Sequence, residues 1–179
     1  MLNSKNRNFN QAINQNPDGV EYYEKVVQVN RVSKKSKGGD KRSLSVIVVA
    51  GDRNGKVGVG LGKAQDVQSA VRKATTYAKK HMIEVPLRGR TIPHQILVKE
   101  GAAQVLLKPA PEGTGVRAGG AVRVVVEAAG VHDVVSKILG TKNQASNVYA
   151  TLKALSLLRK NEEGSGDETK SATKDKKKK

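Results

Sequence analysis

Apolar residues fall along this chain in short blocks separated by glycine and charge. Val26, Val27, Val29 and Val32 mark residues 24–33 as a strand, and Leu44, Val46, Ile47, Val48 and Val49 mark residues 42–50 as a stronger one. Asp52-Arg53-Asn54-Gly55 predicts a tight turn, because Asn-Gly supplies the positive φ angles that a hairpin needs. A short strand with Val57 and Val59 follows, so the first half opens as a three-stranded antiparallel sheet. The apolar spacing then becomes helical. With Asp66 as N-cap, Val67, Ala70, Val71, Ala74, Ala78 and Met82 share one arc, and Arg72, Lys73, Lys79 and Lys80 share the opposite one. One face packs on the sheet and the other is basic.

Pro86 and Pro93 bracket a hinge-like stretch, which places a domain boundary near residues 85–90. Gln95 to Lys99 and Ala103 to Lys108 predict a hairpin turning at Gly101-Ala102, followed by a loop from Pro109 to Gly120. Residues 121–129 are apolar nearly throughout, so periodicity alone does not separate helix from strand; the Gly119-Gly120 opening and the alanine-rich end favour helix. Val134 to Leu139 predicts a strand. Asn147 then caps a last helix with Val148, Leu152 and Leu155 as its stripe. The expectation is an α+β chain of two small domains, over 21–86 and 87–160. They are flanked by a flexible N-terminal extension (1–20) and a disordered lysine-rich tail (161–179).

Charge changes the picture most. Lys and Arg number 33 against 16 acids, a net charge of +17. The 161–179 tail holds six of those lysines and five acids, so the surplus belongs to the body of the chain. Such a surplus draws polyanions. No apolar run is long enough to span a bilayer. The first twenty residues are asparagine-rich and lack a signal peptide's apolar stretch, so a cytoplasmic nucleic-acid binder is expected rather than a membrane protein. There is no Cys, and His81, His94 and His132 share no metal-ligand spacing, so no cofactor or metal is expected. Aromatic residues are few: Phe9, Tyr22, Tyr23, Tyr77 and Tyr149. Base stacking on aromatic platforms is therefore scarce, and phosphate neutralisation on folded RNA has to supply the grip.

The basic residues concentrate between Arg31 and Lys63, where nine face two acids, Asp40 and Asp52. A loop from Lys34 to Lys41, bent by Gly38-Gly39, joins the first two strands. Its glycines allow a phosphate close to the backbone and its lysines neutralise it. The expected RNA-binding set is Arg31, Lys34, Lys35, Lys37, Gly38, Gly39, Lys41, Arg42, Arg53, Lys56 and Lys63, with Arg72 and Lys73 on the helix. The glycines at 58, 60 and 62 are no nucleotide loop. A phosphate loop ending at Gly62-Lys63 needs Gly at 57 and Ser or Thr at 64, and Val57 and Ala64 stand there. Alternating glycines instead bare one strand face for close approach by a helix or a ligand. A second cluster, Gly113 to Gly120, reads equally as a structural loop or as an RNA or protein contact at a helix N-terminus. His132-Asp133 has no nucleophile or second carboxylate nearby, which favours packing over acid–base chemistry.

Four linked blocks resemble the bacterial form of the small-subunit ribosomal protein five family, over roughly residues 21–160. They are Val29-Asn30-Arg31-Val32 with Lys37-Gly38-Gly39; Val49-Ala50-Gly51-Asp52 through Gly60-Leu61-Gly62-Lys63-Ala64; Pro111-Glu112-Gly113-Thr114-Gly115 with Ala118-Gly119-Gly120-Ala121 and Arg123; and Ala129-Gly130-Val131-His132-Asp133-Val134. The resemblance implies a double-stranded-RNA-binding-like first domain and a βαβα-like second one. It implies a structural role on small-subunit ribosomal RNA, beside ribosomal proteins four and eight, near the channel by which messenger RNA enters, with an influence on decoding accuracy. It places Lys37-Gly38-Gly39 toward the neck of the subunit near the spectinomycin site, and Gly115 and Arg123 at the contact with protein four. Asp40 departs from a usually basic position, and Leu44 from one where the family favours an aromatic residue. A free double-stranded-RNA-binding module would leave the second domain idle. A small-molecule kinase, which the second fold type also resembles, would need serines that the loop from Pro109 to Ala121 lacks.

Overall fold

The computed structural model describes residues 22–159; the expected N-terminal extension and lysine-rich tail lie outside the described residues. The chain order is β1 (Tyr23–Ser36), β2 (Gly39–Gly51), β3 (Lys56–Ala64), α1 (Val67–Lys80) and β4 (Met82–Glu84). These are followed by β5 (Ile96–Glu100), β6 (Ala103–Pro109), β7 (Val116–Arg117), α2 (Gly120–Ala129), β8 (Val134–Ile138) and α3 (Gln144–Ser156). Two four-stranded sheets result, ordered β1-β2-β3-β4 and β5-β6-β8-β7. The first is antiparallel throughout, and in the second only the β7–β8 pair is parallel, across the α2 connection.

The α+β expectation holds, with corrections to single elements. The first sheet has four strands rather than three: α1 stops at Lys80, and Met82 pairs with Gly58 instead of extending the helix's apolar arc. The loop from Pro109 to Gly120 contains β7. Asn143, not Asn147, caps α3, its side chain accepting from the Ala145 N–H at 3.1 Å. Asn147 sits inside the helix, 2% exposed, where its Nδ2 donates to the Thr141 carbonyl at 2.9 Å. Its side chain is thus engaged inside the fold rather than at a helix N-terminus.

The β3 glycines exist for α1. A Cβ built on Gly58, Gly60 or Gly62 would stand 2.2, 2.0 or 2.1 Å from the carbonyl oxygens of Ala78, Ala74 and Ala70 respectively. Bare strand thus meets small helix residues one turn apart, and the helix backbone lies directly on the strand. The close approach read from these glycines is by this helix, not by RNA. Asp66 caps α1 as expected, accepting from the Gln68 and Ser69 N–H groups.

β2 is buried on both faces from Val46 to Ala50, which is why its run lacks polar alternation. Val46 and Val48 pack with Ala70 and Ala74 under α1. Ile47 and Val49 join the larger core with Val105, Leu107, Val122, Val125, Val126 and Leu155 from the second half. The chain crosses between sheets after Glu84, but the apolar core runs on across that crossing. The β2–β3 turn fastens the halves. The Arg53 N–H donates to the Ala128 carbonyl at 3.1 Å and the Gly55 N–H to the Ala129 carbonyl at 3.0 Å, satisfying two carbonyls at the α2 C-terminus. Asp52 holds the turn by accepting from the Asn54 and Lys56 N–H groups at 2.8 and 2.9 Å.

Candidate nucleic-acid interface

β3 pairs with β2 only as far as Leu44, whereas β1 pairs with β2 all the way to Ser36↔Gly39. The expected loop from Lys34 to Lys41 is therefore mostly strand, a correction to the sequence reading. A two-stranded ribbon projects beyond the sheet and closes in a turn with only Lys37 and Gly38 between the strands. Residues 29–42 are all exposed. A strand wet on both faces carries no apolar alternation, so hydrophobic patterning does not register it. Gly39 has a φ of +118°, and the Ser36 hydroxyl donates to its carbonyl at 2.9 Å. Gly38 has ordinary φ, and nothing lies within 4 Å of a Cβ there, so the protein's own packing does not demand glycine at 38.

The register sorts the ribbon's charges onto two faces, because paired residues share a face and neighbours alternate. Arg31, opposite Leu44, lies on one face with Lys35, Asp40 and Arg42. Lys34 and Lys41, directly opposite each other, lie on the other face with Val32 and Ser43. The same pairing places Lys63, opposite Ser45, further along the Lys34–Lys41 face. Asp40 is thus matched across the strands by Lys35, whereas Lys34 faces only Lys41. Two lysines opposed in this way repel, and neither forms an ion pair among the described residues.

Other expected contacts do not converge on the ribbon. Arg72 and Lys73 are exposed on α1, on the side of the sheet that carries Arg31 and Arg42. Arg53 and Lys56 stand beyond the far end of β2, whose 13 residues span roughly 40 Å at strand rise. Arg53 has a φ of +59° and its guanidinium lies 4.2 Å from the Tyr23 ring centroid, at the joint between the halves. Lys79, on the helix's basic arc, pairs with Glu24 at 2.9 Å.

In the second half Asp133 is 1% exposed and organises the glycine loop. Its Oδ1 accepts from the Gly115 N–H at 2.9 Å, and its Oδ2 lies 3.3 Å from Arg90 Nε. The Thr91 hydroxyl donates to the Asp133 carbonyl at 2.6 Å. This is packing, not acid–base machinery. Asp133→Ala is expected to lower stability by about 2 kcal/mol, since it strands a part-buried donor and unpairs an exposed Arg90. Asp133→Asn keeps the Gly115 acceptor and is expected to cost less than half as much. Urea midpoints for the two variants check this, and equal losses would contradict it.

Arg123 donates from Nη2 to the Val116 carbonyl at 2.9 Å, with its Nε 3.9 Å from Glu127. It lines a cleft of about 450 Å³ with Arg117, Gly119, Ser136 and Lys137, at an α2 N-terminus that no side chain caps. Arg117 and Lys137 escaped the sequence reading, since each is a lone cation in its own segment and only the β7–β8 pairing brings them together.

Among the described residues no group of acids and histidines is placed to hold a metal, and no helix is long and apolar enough to cross a membrane. The family model described as Ribosomal protein S5, N-terminal domain, matches residues 22–86. Its companion, Ribosomal protein S5, C-terminal domain, matches residues 98–166. The two matches divide where the chain passes from the first sheet to the second, and between them they cover most of its length. The chain belongs to the ribosomal protein S5 family: it is a structural, ribosomal-RNA-binding protein of the small subunit and not an enzyme.

Proposed function

We propose that the chain clamps two segments of small-subunit ribosomal RNA, one against each face of the β1–β2 ribbon. The observation that carries this reading is the direct opposition of Lys34 and Lys41 on a ribbon whose other face bears Arg31, Lys35 and Arg42. Like charges held opposite each other destabilise a bare ribbon, and a phosphate on the Lys34–Lys41 face relieves that, while Arg31 and Arg42 offer cations to a second segment on the other face. Lys37, Gly38 and Gly39 form the tip, where an unobstructed backbone admits a phosphate closely. Lys63 extends one face, and Arg72 and Lys73 add to the side of the other. Arg53 and Lys56 contribute at the opposite end of β2, as a separate contact. Following the family resemblance, the tip lies toward the neck near the spectinomycin site and the channel by which messenger RNA enters, which ties the protein to decoding accuracy. Proteins four and eight are its neighbours, with Gly115 and Arg123 facing protein four.

With roughly six to ten phosphates neutralised, affinity of the full chain for small-subunit ribosomal RNA is expected to fall about 10³- to 10⁵-fold between 50 and 200 mM salt. Filter binding across that range tests it, and a flat response would sink the clamp.

A further inference from the structure

A cleft of about 430 Å³ opens where the ribbon leaves the body, lined by Arg31, Ser33, Arg42, Leu44 and Gln65 among others. Phosphate binding needs exposed cations and a wet surface. This cleft differs, because half-buried Leu44 lines it beside two arginines and gives it an apolar floor. Arg31 pairs across with Leu44, and Arg42 lies two residues from Leu44 on the same strand, so the arginines are diagonal neighbours on one face. Strand-pair geometry sets such neighbours roughly 7–8 Å apart. Side chains rising from positions so spaced can flank a flat ring, which needs van der Waals contact of about 3.5 Å on each side. Neither arginine forms an ion pair among the described residues. The acid on their face of the ribbon, Asp40, stands opposite Lys35.

Gln65 completes the chemistry. It lies in the short link between β3 and α1, which Asp66 fixes by capping the helix. A glutamine amide carries a donor and an acceptor side by side, the pattern that meets an adenine edge at N6 and N7. RNA is read in this way where a base is unpaired: its face on an aromatic ring or a guanidinium plane, its edge hydrogen-bonded. A chain with no aromatic side chain on the ribbon has arginine as its available platform.

We propose that this cleft takes one unpaired purine of the RNA, stacked against Arg31 and Arg42 over Leu44 and held at its edge by Gln65. The proposal rests on the RNA-binding reading above and adds a base-reading site to a ribbon otherwise understood as a phosphate clamp.

The test uses the full chain and two RNA duplexes of about 20 base pairs, identical except that one carries a single bulged adenine. Wild-type protein is expected to prefer the bulged duplex about tenfold, in the range of one stacked base. Gln65→Ala and Leu44→Ala are each expected to cut that preference to about twofold or less. With 2-aminopurine at the bulge, fluorescence is expected to change on binding wild type and to change less with Gln65→Ala. Equal wild-type affinity for both duplexes would overturn the proposal and leave the phosphate clamp standing. A preference undiminished in both variants would overturn it too, since the base then lies elsewhere. Salt-insensitive binding of both duplexes would instead defeat the RNA clamp itself.

Discussion

Gly60→Ala is expected to lower the stability of this protein by about 3 kcal/mol or more, a large effect for a single methyl group. The added Cβ would stand 2.0 Å from the Ala74 carbonyl oxygen and 2.9 Å from the Ala78 backbone nitrogen. Both are helix backbone, so no side-chain rotation relieves the overlap. Either α1 lifts off β3 or the strand bends away, and both loosen the packing of Val46 and Val48 against Ala70 and Ala74. The φ of Gly60 lies outside the left-handed region, so the cost is steric rather than conformational. Gly38→Ala is the matched control: a Cβ there meets nothing within 4 Å, and it is expected to shift stability by less than about 0.5 kcal/mol. Urea unfolding of both variants checks the contrast, and similar midpoints would contradict it.

Much of the fold was legible because local chemistry and tertiary packing agree. Asp66 announces α1 as a capping residue and serves as one. Val46 to Ala50 signals a strand by composition, although only packing shows that its continuous apolar run serves two cores at once. The α2 segment gives no periodic signal because nearly all of it is buried, and only its Gly119-Gly120 opening and alanine-rich end point to a helix. The last helix misled because Asn143 and Asn147 both carry capping side chains, and only the position of the Thr141 carbonyl decides between them. β4 was hidden because Met82 fits the helical arc equally well.

The candidate site was legible in its residues and not in its arrangement. Counting charge from Arg31 to Lys63 merges into one patch residues that β2 holds about 40 Å apart. Which ribbon cations share a face depends on register, and register depends on the two-residue turn at Lys37-Gly38. Asp40 makes sense only once that register sets it opposite Lys35. Arg117 and Lys137 lie twenty positions apart and meet only through a parallel pairing across a helix.

Neutralising the ribbon is the change with the largest expected effect on function. Replacing Arg31, Lys34, Lys35, Lys37, Lys41 and Arg42 with glutamine removes six exposed cations without touching either core. Each phosphate contact contributes about 0.9 to the slope of log affinity against log salt, so the slope is expected to fall by about five. Relieving the Lys34–Lys41 opposition should leave the free protein no less stable, so lost binding coupled to unchanged or higher urea resistance is the expected signature. The two faces separate in partial variants. Lys34→Gln with Lys41→Gln empties one face, and Arg31→Gln with Arg42→Gln removes both arginines from the other; under a clamp each pair should lower the slope by about two. A single-sided grip predicts instead that one pair accounts for nearly the whole loss and the other for none. Salt titrations of the two double variants against small-subunit ribosomal RNA therefore distinguish a ribbon held between two RNA segments from one lying on a single surface.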